Sequence, residues 1–465
     1  MIKALRIKNF KCLHDTGEMP FRPLTFLVGP NSSGKTSIFQ LLLMMKASTR
    51  EYLRRLITVD DTIPLDLGSA DEMILGHDRE NALTIELVFT KQSISPILAS
   101  FLFKVSGKPA KGFVLSKLRL VRHGEKQRGK LQLLRWEGIP VEMEPEIPEL
   151  ITKMWEGPGE AETLRLASKL EKLKKTRPSS RDTALAVSMI VDILLNEVLI
   201  NGVLLNDLEK IRWKAPLRAE PQRVYWSTGA SLTIGPKGEY MADVLQQEFE
   251  RLKSFVKKWM KTLEVGATFR KPRSLSRKLS RFEVVVEDTR QGIRVNIKDV
   301  GFGISQVMPI LVEGTLAPEG SLLMIEQPEL HLHPKSQAAM GEVLADMAGV
   351  LSSPGPGRKP KRVPAKTLLI ETHSDLILAR VGRLIAEGRV KHEDCLIYYF
   401  DPTEKGTTLN PILFDNEGAF FAENADGEKA LDQFLDEFLG TDYIEFVKTV
   451  EKVEEKRNRQ KKKQK

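Results

Sequence analysis

The chain has 465 residues, 41% of them hydrophobic, enough for a large core and for more than one domain. No run approaches the roughly 20 continuous apolar residues of a membrane-spanning helix. The two cysteines, Cys12 and Cys395, stand far apart without metal-ligand spacing, so a disulfide scaffold and a Cys-based metal site are set aside and a reducing, cytoplasmic setting is expected. The net charge of +9 is uneven: Lys456, Arg457, Arg459, Lys461, Lys462, Lys463 and Lys465 crowd the end of the chain, and the remainder is near +2. Such a run is either a solvated tail or an electrostatic arm for nucleic acid.

Taken in order, Met1 to Arg6 alternates apolar and charged residues, the pattern of a strand and not of a signal peptide. Leu24-Thr25-Phe26-Leu27-Val28 predicts a short buried strand, and Ser37 to Leu43 an apolar helix. Between them lies Gly29-Pro30-Asn31-Ser32-Ser33-Gly34-Lys35-Thr36, which fits G-x-x-x-x-G-K-[ST]. Two glycines let the backbone curl so that successive N–H groups, through that of Ser37, face a polyphosphate. Lys35 is placed to reach the β- and γ-phosphates, and the Thr36 hydroxyl to hold Mg²⁺.

A strand follows at Leu83–Val88, then strands of hairpin character at Phe113–Leu120 and Leu131–Trp136, with His123–Gly129 as turn. From about 146 to 212 the pattern turns helical, as in Leu166, Leu170 and Leu173, and Thr176 to Ser180 breaks it. Another amphipathic helix is predicted from about Ala242 to Leu263. The region lacks sustained heptads and reads as a compact helical insertion, not a long coiled-coil arm. Strands return at Phe282–Val286 and Ile293–Ile297. An α/β pattern resumes with Leu322–Ile325, a helix near 335–349, Thr367–Ile370, a helix near 375–388, and strands at Cys395–Phe400 and Thr407–Leu413. Ser352 to Lys366, rich in Pro, Gly and basic residues, reads as an exposed loop.

Three further features bear on the phosphate loop. The strand Leu322–Ile325 ends in Glu326, where an acid of a phosphate-loop ATPase holds Mg²⁺; Gln327-Pro328-Glu329 follows at once. His373 stands just past the run Leu368-Leu369-Ile370, where its ring could donate to a γ-phosphate. Asp299 to Gln306 opens a helix with Gly301, Gly303 and Ser305, a second anion-binding surface.

In this order the motifs resemble the ABC-type ATPases of the SMC/RecF/OLD group, over about 1–90 and 215–415. The resemblance makes Gly29–Thr36 the Walker A loop, Asp299–Gln306 the signature, Glu326 the end of Walker B and His373 the switch histidine. It likens Ile7 to Lys11 to the group's first strand, and makes His331 and His333, in Glu329-Leu330-His331-Leu332-His333-Pro334, structural and not metal ligands. Pro216 to Tyr225 and Gly235 to Glu239 resemble a branch of OLD-related bacterial ATPases, several of which serve in anti-phage defence. The implied fold is α/β: an ABC-type (P-loop NTPase) ATPase head with a mixed β-sheet, an antiparallel β subdomain and a helical insertion. The expected units are 1–145 (first half of the head), 146–265 (insertion), 266–415 (second half) and 416–465 (helical extension and disordered basic tail).

Two departures shape the expected activity. Where the group often has a second acid after Walker B, this chain has Gln327, which can orient water but cannot take its proton, so slow hydrolysis is expected. OLD nucleases carry a Toprim domain with a D-x-D pair; the 92 residues after His373 contain none, so no nuclease is expected here. The implied cofactors are ATP and Mg²⁺, and the implied assembly is a head-to-tail homodimer or higher homo-oligomer with ATP between subunits. An effector, a nuclease or toxin, is the expected partner, with no membrane. The alternative is a RecF- or SMC-like ATP-gated DNA clamp in repair or chromosome maintenance. Candidate DNA contacts for it are Arg270-Lys271-Pro272-Arg273, Arg277-Lys278 and Arg358 to Arg362.

Overall fold

Three largely apolar runs make the centre of the molecule. Leu24–Val28, Leu322–Glu326 and Thr367–Glu371 are strands buried at every position, as expected where helices and a second sheet cover both faces of a parallel sheet. The computed structural model describes residues 1–137 with short breaks (52–54, 57–58, 61–64, 92–93, 107–111, 123–131), 204–352 except 228–232 and 277–279, and 366–438 except 405 and 424.

The central sheet runs in the order Arg212–Lys214, Leu322–Glu326, Thr367–Glu371, Leu24–Val28, Cys395–Thr403, Gly406–Phe414, Phe420–Phe421. The first five are parallel and the last two antiparallel. Side chains alternate between its faces. Phe26, Ile325 and Ile370 join a core with the helices Phe302–Leu316, Pro334–Ala348 and Asp375–Ala386, while Leu27, Met324 and Leu369 face the helix Lys35–Ala47. That last helix is buried on nearly every side, which is why its sequence is apolar all round.

Beyond it lies an antiparallel sheet in the order Gln132–Glu137, Gly112–Arg122, Ile94–Ser106, Leu83–Lys91, Ile2–Phe10, Leu13–Asp15. Its inner residues, such as Ile7, Ile85, Phe101 and Phe113, close the second core. On it, Arg6 holds Asp15 through two bonds of 2.9 and 2.8 Å, and Lys8 reaches the same carboxylate at 2.9 Å.

Two expectations need correction. Residues 204–265 do not stand apart as an insertion. Arg212–Lys214 is the edge strand of the central sheet, and the helix Phe249–Thr262 buries Leu252, Val256 and Trp259 in the main core. A three-residue strand flanked by charges has too few positions to show a period. The single helix expected from Ala242 to Leu263 is two, Met241–Gln247 and Phe249–Thr262, parted at Glu248. Residues 146–203, the turn His123–Gly129, Arg277-Lys278, Arg358–Arg362 and the basic tail fall outside the described residues. The helix Ala425–Phe438 precedes that tail.

Candidate nucleotide site

The phosphate loop leaves the sheet at Val28 and enters its helix at Lys35. Gly34 makes that turn at φ 97°, and a Cβ there would stand 2.5 Å from Cys12 Sγ, so glycine is required twice over. Ser32 is also in the left-handed region, at φ 61°. The Lys35 ammonium, 4% exposed, donates to the carbonyls of Gly29 (3.0 Å) and Pro30 (2.7 Å). Desolvation lowers its pKa, against the field of Glu371. Ser33 Oγ is buried without a hydrogen-bond partner.

The parallel register brings the other strand ends to the same edge. Glu326 pairs with Glu371, and Glu371 with Leu27, one residue before Val28. Thr36 Oγ1 donates to Glu371 at 3.1 Å (Oε2) and 3.4 Å (Oε1). Glu326, on the strand beyond, accepts instead from the indole of Trp213 at 2.6 Å. Burial, together with the charge of Glu371, pushes Glu326 up to about 7. Burial also raises Glu371, against Lys35 and the Thr36 hydrogen bond.

Beyond Glu326 the chain turns sharply. Gln327 sits at φ 44°, its N–H donating to Glu371 O at 2.8 Å. Arg218, 5% exposed, donates to the carbonyls of Glu326 (2.6 Å) and Gln327 (3.1 Å), and its own N–H donates to Gln306 Oε1 (3.1 Å). This one residue joins the end of the strand Leu322–Glu326 to the helix Phe302–Leu316. Glu329, raised by burial, accepts from the His373 N–H (2.7 Å) and the Thr372 hydroxyl (2.9 Å), shaping the turn that carries His373. The His373 ring reaches solvent. Desolvation, with Lys35 nearby, lowers its pKa.

In the segment Asp299 to Gln306, Gly301 and Phe302 are exposed at the helix start. A Cβ on Gly303 would meet His331 O at 2.6 Å. Ser305 is buried and gives its hydroxyl to Phe302 O at 2.7 Å. Asp299 is turned outward in an ion pair with Arg223. The Phe302 ring meets that of His331 edge-on, with centroids 4.7 Å apart, and His333 caps the helix Pro334–Ala348 by accepting from Lys335 N. Among the described residues no cluster of three or more His, Cys, Asp or Glu could hold a metal.

Sequence reasoning thus named Lys35, Thr36, Glu326 and His373, and the fold carries them to one sheet edge. It missed Glu371, Trp213, Arg218 and Glu329. The signal for Glu371 was present: it ends an apolar run just as Glu326 does.

The family model described as an AAA ATPase domain matches residues 1–185 and 236–378, more than half of the chain. Over 78 residues the chain is 37% identical to an OLD nuclease of Thermus scotoductus (strain ATCC 700910 / SA-01), a stretch that is 17% of this chain and 15% of that protein. The model also resembles solved SMC heads. One is an SmcHead bound to the C-winged helix domain of ScpA, at TM-score 0.42 and 11% identity, covering 89% of this chain and 98% of that one. Another is the SMC head domain from Thermotoga maritima, at TM-score 0.39 and 11% identity, covering 88% and 98%. With its phosphate loop and mixed sheet, the chain belongs to the AAA ATPase domain family.

Proposed function

We propose that the protein binds ATP with Mg²⁺ at this edge, hydrolyses it slowly, and uses the bound triphosphate to pair with a second copy head to tail. What supports the reading is the convergence of chain-remote groups (Lys35 and Thr36, Glu326, Glu371, His373) at the start of one buried helix, where N–H groups and the helix dipole favour an anion. Lys35 would exchange its two carbonyl partners for phosphate oxygens. The cation would be held by Thr36 and Glu326, as in the sequence reading, and would neutralise charge on the β- and γ-oxygens. His373 would donate to the γ-phosphate, and Gln327 would orient water without accepting its proton. In the pair, Gly301, Gly303 and Ser305 of one copy would close over the loop of the other. Ser305 now bonds within its own helix, so closure requires that hydroxyl to turn outward.

The pairing is a switch biased by the γ-phosphate. We assign it to the control of a separate effector, a nuclease or toxin, in defence against foreign DNA. The stretch shared with an OLD nuclease supports that assignment. Titration calorimetry and sedimentation test the core of it: ATP binds and a non-hydrolysable analogue doubles the mass, and Lys35→Ala loses both. A wild-type protein that takes up no ATP overturns the reading. Salt-dependent DNA binding by the protein alone would favour the clamp instead.

A further inference from the structure

We propose that Glu371 joins Thr36 and Glu326 in holding the divalent cation. The inference rests on the ATP-binding reading above and adds a residue to it. The strand Thr367–Glu371 lies between the strand feeding the phosphate loop and the strand ending in Glu326. Residues in register on neighbouring parallel strands point to the same face, and strands are about 4.8 Å apart. Glu371 is therefore one strand nearer the loop than Glu326, and the hydrogen bonds agree. Thr36 Oγ1 meets Glu371 at 3.1 Å, whereas Glu326 is bound at 2.6 Å by Trp213, from the strand on its far side.

Gln327 is ill placed to join them. Its peptide is clamped, N–H on Glu371 O and carbonyl under Arg218, at φ 44°. Its side chain carries no charge to offer a cation. Glu326 and Glu371 together put two buried carboxylates at one edge, with the Lys35 ammonium engaged by loop carbonyls. A hard divalent cation beside a hydroxyl and two carboxylates is the ligand that chemistry suits. Thr36 then turns its oxygen lone pairs to the metal, and Glu371 binds the metal directly or through one of its waters.

The test measures Mn²⁺ by electron paramagnetic resonance in the presence of ATP, with ATP affinity in EDTA measured alongside. Glu371→Gln keeps an acceptor for the Thr36 hydroxyl and removes a buried like charge, so without metal it should melt no lower than wild type. It should weaken Mn²⁺ in the ternary complex tenfold or more while leaving metal-free ATP binding unchanged or tighter. Glu371→Asp, retaining the charge on a shorter arm, should fall between. Unchanged Mn²⁺ affinity in Glu371→Gln, or equal losses with and without metal, overturns the assignment. A wild type that binds ATP in neither condition overturns the nucleotide site itself, a distinct result.

Discussion

In the antiparallel sheet, Asp15 lies between Arg6 and Lys8, and the hydrogen bond from Arg6 holds its carboxyl well below the ordinary range. At the edge of the parallel sheet, Glu326 stands in register with Glu371, and burial and that neighbour push it up to about 7. The first sheet pairs its charges at a partly exposed surface and gains modest stability. The second collects like charges where water is scarce, an arrangement that costs stability unless a cation arrives. Crowded carboxylates beside a phosphate loop therefore set this edge apart from the paired charges of the antiparallel sheet.

The largest expected effect tests that contrast directly. Glu326→Gln should abolish turnover and yet stabilise the protein without nucleotide. A carboxyl raised from 4.5 to about 7 keeps its proton in the native state where the unfolded chain releases it. Wild-type stability should therefore fall as pH rises from about 5 to 7, and the loss is complete above that. At pH 8 the penalty is about 3 kcal/mol, from about 1.4 kcal/mol per unit. Melting curves of the two proteins should coincide near pH 4 and separate by pH 8; parallel curves throughout would show that burial and the neighbouring carboxylate do not raise Glu326.

Next in size is Gln327→Glu. Steady-state phosphate release should rise tenfold or more, about 1.4 kcal/mol of barrier, if the missing proton acceptor limits the wild type. A wild type that is already fast and indifferent to the change would mean that water is activated elsewhere.

Arg6→Ala should matter less. Its side chain and that of Asp15 are about a third exposed, so screening limits the loss to about 1 kcal/mol or below in denaturant unfolding at pH 7. ATP affinity should not change. Smallest is the acid dependence of that loss. The Asp15 carboxyl is depressed when folded, so its contribution is present above the unfolded value near 3.8 and disappears as pH falls through the lower folded one. Arg6→Ala and wild type should thus draw together under strong acid; above it the wild type is the more stable of the two, whereas in the Glu326 comparison it is the less stable.

Much of the central fold was legible. Leu24–Val28, Leu322–Glu326 and Thr367–Glu371 could be read because a strand buried on both faces is largely apolar without alternation, a pattern visible within five residues. The phosphate loop could be read because its chemistry is contiguous. Arg212–Lys214 could not: its place is set by pairing with Leu323–Ile325, more than a hundred residues away. Nor could the break at Glu248, since an amphipathic stripe continues across it. Arg218 lies within a quoted motif, but its role depends on the carbonyls of Glu326 and Gln327 and on the Gln306 side chain, from two other segments.

Local chemistry alone determined that a triphosphate loop exists, that apolar strands surround it, and that acids and a histidine close two of those strands. Which acid faces which partner was decided by strand register. Glu326 and Glu371 end near-identical sequences, LLMIE and LLIE, and nothing within either run distinguishes them. Only the order of the sheet sets Glu371 beside Thr36 and leaves Glu326 to Trp213, because hydrogen bonding between strands fixes neighbours that the chain itself keeps far apart.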